Sequence, residues 1–356
     1  MLDGLVITRR FDTPAWLSAL TFLAGIAVGL AMATALLVAI GVPASALFDE
    51  VIGEAFMTAS GLAQTLTFAT PLICVGLSAA VALRLRFWNI GIEGQLWLGA
   101  LGATAVALGD VGPEATRLPL MLLAAALAGA AWIALPLVLK LRLGVNEVIT
   151  TLLLGSIAFL FAQHLLFGAW RDPATGFPIS LAFDAAERLA ALGFGRTHLG
   201  LPIALAAALL VWFLVDVTRL GFYGRAVGEN IEAARAAGVP VIAVTCAFVL
   251  LSGALSGLAG GLIVAGTEHR MSLTLGAGYT FSGIVIAFLG RFRPLATVVV
   301  AVIIGGVFTA SDVFKVFYGI SEAVVVLLQG LVLFGVLVAQ FFGAYRISRA
   351  NWGAPA

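Results

Sequence analysis

Long apolar runs alternate with short polar stretches along the whole chain. A helix needs about 20 apolar residues to cross the hydrocarbon core of a membrane, and ten runs approach or exceed that length. The four clearest contain no acidic or basic residue and cover residues 17–40, 118–139, 241–266 and 323–345. The other six cover residues 55–83, 89–109, 148–170, 199–215, 271–290 and 294–310. The pattern predicts an all-α, polytopic transmembrane helical bundle with about ten crossings.

Basic residues give this bundle an orientation, because Lys and Arg in short loops favour the cytoplasmic side of a membrane. With the N-terminus inside, thirteen of the 19 basic residues fall on the cytoplasmic side and six fall outside. The cytoplasmic set is Arg9, Arg10, Arg84, Arg86, Lys140, Arg142, Arg219, Arg225, Arg235, Arg291, Arg293, Arg346 and Arg349. We therefore predict an even number of crossings with both termini in the cytoplasm.

Two of the runs, residues 89–109 and 271–290, are rich in glycine. Each could be a full span or a broken, re-entrant segment, since irregular backbone is tolerated at that depth where protein or a water-filled cavity satisfies it. The run at residues 17–40 lacks the compact apolar region of a cleaved signal peptide, so we interpret it as a retained anchor.

Composition excludes a water-soluble domain. Of the 356 residues, 62% are apolar and only 10% are charged. The longest stretches between runs, about 171–198 outside and about 216–240 in the cytoplasm, are too short to fold alone. We therefore predict one transmembrane domain over residues 1–356. Cys74 and Cys246 lie in apolar runs and no Cys or His stands at metal-ligand spacing, so no metal site is predicted.

The cytoplasmic stretch has the pattern of a short helix with both ends marked. Glu229 and Glu232 suit its first turn and Arg235 its last, because the helix dipole favours acids at the N-terminus and bases at the C-terminus. Gly238 suits the left-handed position after a helix, and Pro240 cannot continue it. Its small side chains would let it enter a groove of a partner protein. The alternative is an amphipathic connector on the lipid surface.

Polar residues inside apolar runs are the candidates for a substrate pathway, because they are costly in hydrocarbon. Each could instead cap a helix or hydrogen-bond a neighbouring helix. The candidates are Gln64, Thr67, Asn89, Glu93, Gln95, Asn146, Glu147, Thr150, Gln163, Tyr279 and Ser282.

Small residues at intervals of four predict tight packing of one segment. Gly253, Gly257 and Gly261 would share one helix face, and small side chains in such a row let two helices approach closely in lipid. We expect this row to pack against neighbouring helices.

The source of energy must lie on another chain. A phosphate-binding P-loop needs a Lys preceded by glycines, and neither Lys140 nor Lys315, the only lysines, has them. Apart from Glu93, the runs lack the acids and bases that form a proton or sodium relay. No His–acid or Ser–Lys constellation indicates catalysis, so we predict that the chain is not an enzyme.

Several motifs, taken together, resemble one family of proteins. They are FWNIGIEGQ at 87–95, NEVITTLLL at 146–154, GRAVGEN at 224–230, AARAAG at 233–238, LSGALSGLAG at 251–260 and GYTFSGIVIAFLG at 278–290. The sequence resembles the permease family of ABC importers that serves ribose, branched-chain amino acids and nucleosides, and it is most similar to the nucleoside or simple-sugar type.

The resemblance implies a function and a set of partners. The chain would be the permease subunit of an importer in the bacterial cytoplasmic (inner) membrane, for nucleosides or alternatively for a simple sugar or another small neutral solute. A secondary transporter is a less favoured alternative. Its partners would be a second, homologous permease in a heterodimer, a tandem ABC ATPase that carries ATP and Mg, and an external binding protein or lipoprotein. No cofactor on this chain and no nucleic acid are implied.

The resemblance also assigns a coupling helix that sits on the ATPase. The residues that would form it are Gly224, Arg225, Gly228, Glu229, Asn230, Ala233, Ala234, Arg235 and Gly238.

Overall fold

The computed structural model describes residues 5–9, 15–43, 53, 55–275 and 278–349. The helices are α1 (Ala15–Ala39), α2 (Ala59–Arg84), α3 (Ile92–Leu108), α4 (Glu114–Leu143), α5 (Glu147–Phe167), α6 (Gly200–Trp212), α7 (Arg219–Glu229), α8 (Ile231–Ala236), α9 (Val241–Ile263), α10 (Tyr279–Leu289), α11 (Pro294–Tyr318) and α12 (Glu322–Ala344). Short π-helical segments extend α6 to Val217 and α9 to Glu268.

Each predicted apolar run contains one helix. By length and composition, α2, α4, α5, α11 and the extended α6 and α9 are able to cross a membrane. The glycine-rich run at 89–109 contains the continuous helix α3, whereas the run at 271–290 is broken. Within that run, α10 is only 11 residues long and follows irregular backbone at 271–275. An 11-residue helix rises about 16 Å, roughly half the thickness of the hydrocarbon core.

The structure also contains two short strands, which the all-α prediction did not include. Strand β1 (Leu5–Arg9) pairs antiparallel with β2 (Tyr345–Arg349), from Leu5 opposite Arg349 to Arg9 opposite Tyr345. Five residues are too few to show in a search for runs of about 20 apolar residues. The pairing brings residues 5–9 and 345–349 side by side.

The chain forms two compact units, residues 54–309 and residues 1–53 with 310–356. In the second unit, α1 packs closely against α12. A Cβ atom added to Gly25 would lie 2.6 Å from the Cα of Val336, and one added to Gly29 would lie 2.6 Å from the Cα of Val332. Side chains at these two glycines would push the helices apart, so glycine sets their close approach.

Helix α9 is the centre of the larger unit. A Cβ added to Gly257 would lie 2.2 Å from the carbonyl oxygen of Ala125 on α4, and one added to Gly260 would lie 2.1 Å from that of Leu96 on α3. Gly99 on α3 also lies close to α9, because a Cβ added to Gly99 would lie 2.1 Å from the carbonyl oxygen of Gly257. Three helices therefore meet backbone to backbone, as the row of small residues predicts.

The stretch between α5 and α6 lies over the end of α9. Its only described helical turn is Ala185–Glu187, and its backbone donates hydrogen bonds to the segment that follows α9. Phe183 N donates to the His269 carbonyl oxygen at 2.8 Å, and Leu189 N donates to that of Ala265 at 2.8 Å. These bonds replace regular secondary structure in holding the stretch in place.

Candidate functional site

The stretch at 216–240, predicted to be cytoplasmic, folds as two short helices, which corrects the prediction of one. Helix α7 ends at Glu229, and α8 begins at Ile231. Asn230 separates them because its Oδ1 accepts hydrogen bonds from the backbone N–H groups of Glu232 and Ala233, both at 3.0 Å. Glu229 therefore closes the first helix and does not stand in the first turn of the second.

The other end of α8 is as the sequence predicts. Gly238 has a φ of 78°, the left-handed conformation that glycine adopts most readily. Glu232 in the first turn and Arg235 in the last form an ion pair at 2.9 Å on the exposed surface. An exposed pair of this kind adds little stability, so the Asn230 cap is the stronger determinant of where α8 starts.

Glycines hold α7 close to the rest of the unit. A Cβ on Gly228 would lie 2.0 Å from the Arg84 carbonyl oxygen, and one on Gly224 would lie 2.3 Å from the ring of Phe248 on α9. The repeated glycines of this motif therefore let α7 lie directly on the ends of α2 and α9.

Helix α8 is anchored by one face and open on the other. Ala234 is 3% exposed, whereas Ala233, Ala236 and Ala237 are exposed. Ile231, at the start of the helix, is 45% exposed. The outward surface combines small alanines with the exposed Glu232–Arg235 pair, so it can enter a groove of another protein and present charge there.

Arg84 ties the elements around α7 together. Its Nε donates to the Phe292 carbonyl oxygen at 2.9 Å, and its Nη1 donates to that of Val215 at 3.1 Å. Its Nη2 pairs with Asp216 at 3.0 Å. One guanidinium thus joins the end of α2, the π-helical end of α6 and the turn between α10 and α11, using the several donors that arginine provides.

Asn89 and Gln95 lie together in a buried hydrogen-bond network. The two amides exchange hydrogen bonds at 2.9 and 2.8 Å. Asn89 Nδ2 also donates to Ser252 Oγ at 3.0 Å, and that hydroxyl lies 3.0 Å from Ser78 Oγ. The idea that Asn89 caps a helix is wrong, because Gly91 is the N-cap of α3. The network joins α2, α3 and α9.

The pair Asn146 and Glu147 begins α5 as a capped helix. Asn146 Oδ1 accepts a hydrogen bond from Val148 N at 2.9 Å. Glu147, in the first turn, pairs with Lys140 at the end of α4. Thr150 Oγ1 donates to the Asn146 carbonyl oxygen at 3.2 Å, so all three predicted residues contribute to the α4–α5 connection.

The remaining candidates are dispersed. Glu93 lies in the first turn of α3. Thr67 Oγ1 donates to Ala63 O at 2.8 Å within α2, where Gln64 is half-buried. Two more lie on α10: Ser282 Oγ donates to Gly278 O at 2.9 Å, and the Tyr279 ring lies 6.2 Å from that of Phe308. Gln163 lies in a shallow groove on α5 beside Leu160, His164 and Phe167.

The partners in two of these contacts could not be predicted from the sequence. Arg84 and Asp216 are far apart in sequence, and so are Ser78 and Ser252. Ser78 is a polar residue within an apolar run, but many other residues fit that description, so the sequence alone did not distinguish it. Among the described residues, no group of three His, Cys, Asp or Glu side chains is placed to hold a metal ion.

Two histidines lie near each other, His198 before α6 and His269 after the extended α9. Burial, with a smaller contribution from the nearby His269, lowers the pKa of His198 to about 4. Burial also lowers the pKa of His269, and Arg188 adds to that shift. His198 Nδ1 accepts a hydrogen bond from Gly200 N at 3.1 Å, which requires an unprotonated Nδ1. The ring is therefore held in its neutral form.

Several apolar helices of membrane-spanning length identify this chain as an integral, multi-pass membrane protein. The family follows from its sequence. The model of the family described as "Branched-chain amino acid transport system / permease component" matches residues 61–337, which is most of the chain, so the protein belongs to that family.

Three relatives extend this comparison. The chain is 36% identical over 361 residues to a glucose ABC transporter permease protein of Haloferax volcanii, covering 97% of this chain and 94% of the relative. It is 34% identical over 297 residues to a guanosine ABC transporter permease protein of Bacillus subtilis, covering 82% and 84%. It is 28% identical over 268 residues to a nucleoside ABC transporter permease protein of Lactococcus lactis subsp. cremoris, covering 72% and 73%. The chain is thus the non-catalytic permease component of an ABC transporter.

Proposed function

We propose that this protein imports nucleosides across the bacterial cytoplasmic membrane, driven by an ATPase that docks on α7 and α8. The observation that carries the proposal is the construction of that segment. Glycine contacts at Gly221, Gly224 and Gly228 hold α7 against the extended α6, α9 and α2, and Arg84 joins the elements around it, while the outer surface of α8 is open. A rigid attachment with an exposed small face can pass a movement of the ATPase to the bundle.

Orientation supports this role. Strands β1 and β2 pair residues 5–9 with residues 345–349, as expected if the number of crossings is even. From the distribution of basic residues alone, we propose that both termini lie in the cytoplasm and that α7 and α8 lie there too. ATP and Mg would be held by the ATPase, which we propose to be a tandem protein.

We further propose that the chain works as one half of a heterodimer. Helix α5 has few buried side chains, and Leu153, Ile157 and Leu160 are each at least half exposed. Such a face suits lipid or another permease. The guanosine and nucleoside permeases occur among the relatives as two different proteins in the same organism, which supports a pair of unlike subunits. An external binding protein or lipoprotein would deliver the substrate.

The substrate has a second candidate. The glucose permease aligns over more of the chain than the guanosine permease does, so a simple sugar is the alternative to a nucleoside. Vesicles that contain the whole transporter would be loaded with ATP, and uptake of labelled guanosine and of labelled glucose would be measured separately. ATP-driven uptake of guanosine but not of glucose supports nucleoside import. ATP-driven uptake of glucose but not of guanosine would overturn it in favour of sugar import.

A single enlarged side chain tests the coupling. Ala236 is exposed on α8, so the variant Ala236→Trp should fold normally but obstruct the docking of the ATPase. Ala115→Trp, at an exposed position on the opposite predicted side, is the matched control. We expect ATP-driven uptake to fall at least tenfold in the first variant and to stay near normal in the second. Normal uptake by Ala236→Trp would contradict coupling through α8.

A further inference from the structure

A large cavity opens beside α7 in the larger unit. It has a volume of about 1080 Å³ and lies among the ends of α2 and α6, helix α7, and the turn between α10 and α11. Aromatic and basic side chains share its lining: Trp88, Trp212 and Phe288 on one hand and Arg86, Arg291 and Arg293 on the other. Its surface is therefore mainly apolar, with positive charge concentrated at a few points.

The positive charge is not balanced within the lining. Five arginines border the cavity against two acids, Asp216 and Glu229, and the Asp216 carboxylate is already paired with Arg84. Arg86, Arg291 and Arg293 are exposed and make no side-chain hydrogen bond or ion pair with any residue that the structure describes. Three guanidinium groups are thus available to an anion, and each presents several donors.

The backbone at this cavity is strained. Arg86, Arg291 and Phe292 have φ values of 56°, 50° and 57°, which residues other than glycine seldom adopt. They account for most of the non-glycine residues with positive φ in the described part of the chain. Strain of this kind persists where the surrounding structure fixes it, and it often marks a ligand site.

We propose that this cavity binds an anionic phospholipid, with its phosphate held by the free arginines and its acyl chains lying along the aromatic lining. The phosphate and the acyl chains of the phospholipid each have a matching surface in this cavity. Exposed Trp88 and Trp212 suit the boundary between lipid and water, where tryptophan is enriched. The basic residues place this boundary on the cytoplasmic side, where anionic headgroups attract Lys and Arg. The proposal goes beyond import and requires only that the chain is inserted in a membrane.

Lipid binding to the full-length protein tests this site directly. The protein would be purified and delipidated in detergent, and the bound lipid would be counted by native mass spectrometry during titration with phosphatidylglycerol or phosphatidylcholine. The double variant Arg291→Gln/Arg293→Gln removes two of the free charges. The matched control is Arg142→Gln/Arg219→Gln, which removes two exposed arginines on the same predicted side but outside the cavity.

We expect the wild type to retain one phosphatidylglycerol in preference to phosphatidylcholine. Each basic residue near an anionic headgroup changes affinity by about fivefold, so the double variant should bind phosphatidylglycerol roughly 25-fold more weakly, while the control changes little. Equal binding of both lipids by the wild type, or an unchanged affinity in the double variant, would overturn the proposal.

Two further measurements separate other occupants. If inorganic phosphate displaces phosphatidylglycerol at millimolar concentration, the cavity is a site for small anions and the lipid proposal is wrong. If the double variant loses binding of the ATPase but keeps its phosphatidylglycerol, the occupant is an acidic surface of that partner, and the lipid proposal is again wrong. Neither result depends on whether nucleosides are the substrate.

Discussion

Replacing Gly257 with alanine tests how closely the central helices pack. The added Cβ would lie 2.2 Å from the Ala125 carbonyl oxygen and 2.9 Å from the Cα of Gly129. Close contacts between carbon and oxygen begin at about 3.3 Å, so the first of these distances is short by roughly 1 Å. Because backbone atoms lie at both contacts, no rotation of a side chain can relieve them, and α9 must move away from α4.

The magnitude follows from two opposing effects. Overpacking of a tight core costs about 1–3 kcal/mol, and a backbone contact of this severity belongs at the upper end. Alanine in place of glycine favours the helix by about 1 kcal/mol. We therefore expect Gly257→Ala to destabilise the protein by about 2 kcal/mol net and to lower its unfolding temperature by several degrees.

The assay is thermal unfolding of the purified protein in detergent, followed by intrinsic tryptophan fluorescence. Gly155→Ala on α5 is the control, because the atom nearest to its added Cβ lies 4.0 Å away. That variant should gain the helical preference of alanine and be at least as stable as the wild type. Equal unfolding temperatures for the two variants would refute the close approach of α4 and α9.

Three further predictions concern buried polar groups and use the same assay. Ser252→Ala removes a shared hydrogen-bond partner and should destabilise by about 1–2 kcal/mol, whereas Ser156→Ala, at an exposed hydroxyl on α5, should have no effect. Arg84→Gln should cost about 3 kcal/mol because it breaks an ion pair and two hydrogen bonds, and an equally stable variant would contradict that role; the exposed Arg142→Gln is its control. His198 is held neutral with a pKa of about 4, so the unfolded chain takes up a proton below about pH 6.5 that the folded chain does not. Stability should therefore be constant above pH 6.5 and fall by up to about 3 kcal/mol towards pH 4, and His198→Asn should reduce that slope.

Much of the bundle could be predicted from the sequence because the hydrocarbon core imposes a length on every span. The close packing at Gly253 and Gly257 could also be predicted, because small residues at regular intervals indicate closely packed helices. The strands at the two ends were not, because their five residues pair across the whole length of the chain and leave no run.

The polar site was less predictable. The sequence placed Asn89 at a helix start, but its partners Gln95 and Ser252 are set by how α3 approaches α9. The break between α7 and α8 depends on one side chain, Asn230, that turns back onto the backbone. Arg84 looked like an ordinary cytoplasmic charge until the fold brought three acceptors around it. Spacing along the chain does not reveal such contacts.

The most direct test of the proposed function is uptake in vesicles that contain this protein with its second permease and its ATPase. Labelled guanosine, presented with the external binding protein, should accumulate only when hydrolysable ATP reaches the ATPase, and a protonophore should leave the rate unchanged. Uptake without the ATPase that collapses with the proton gradient would contradict the account and identify a secondary transporter.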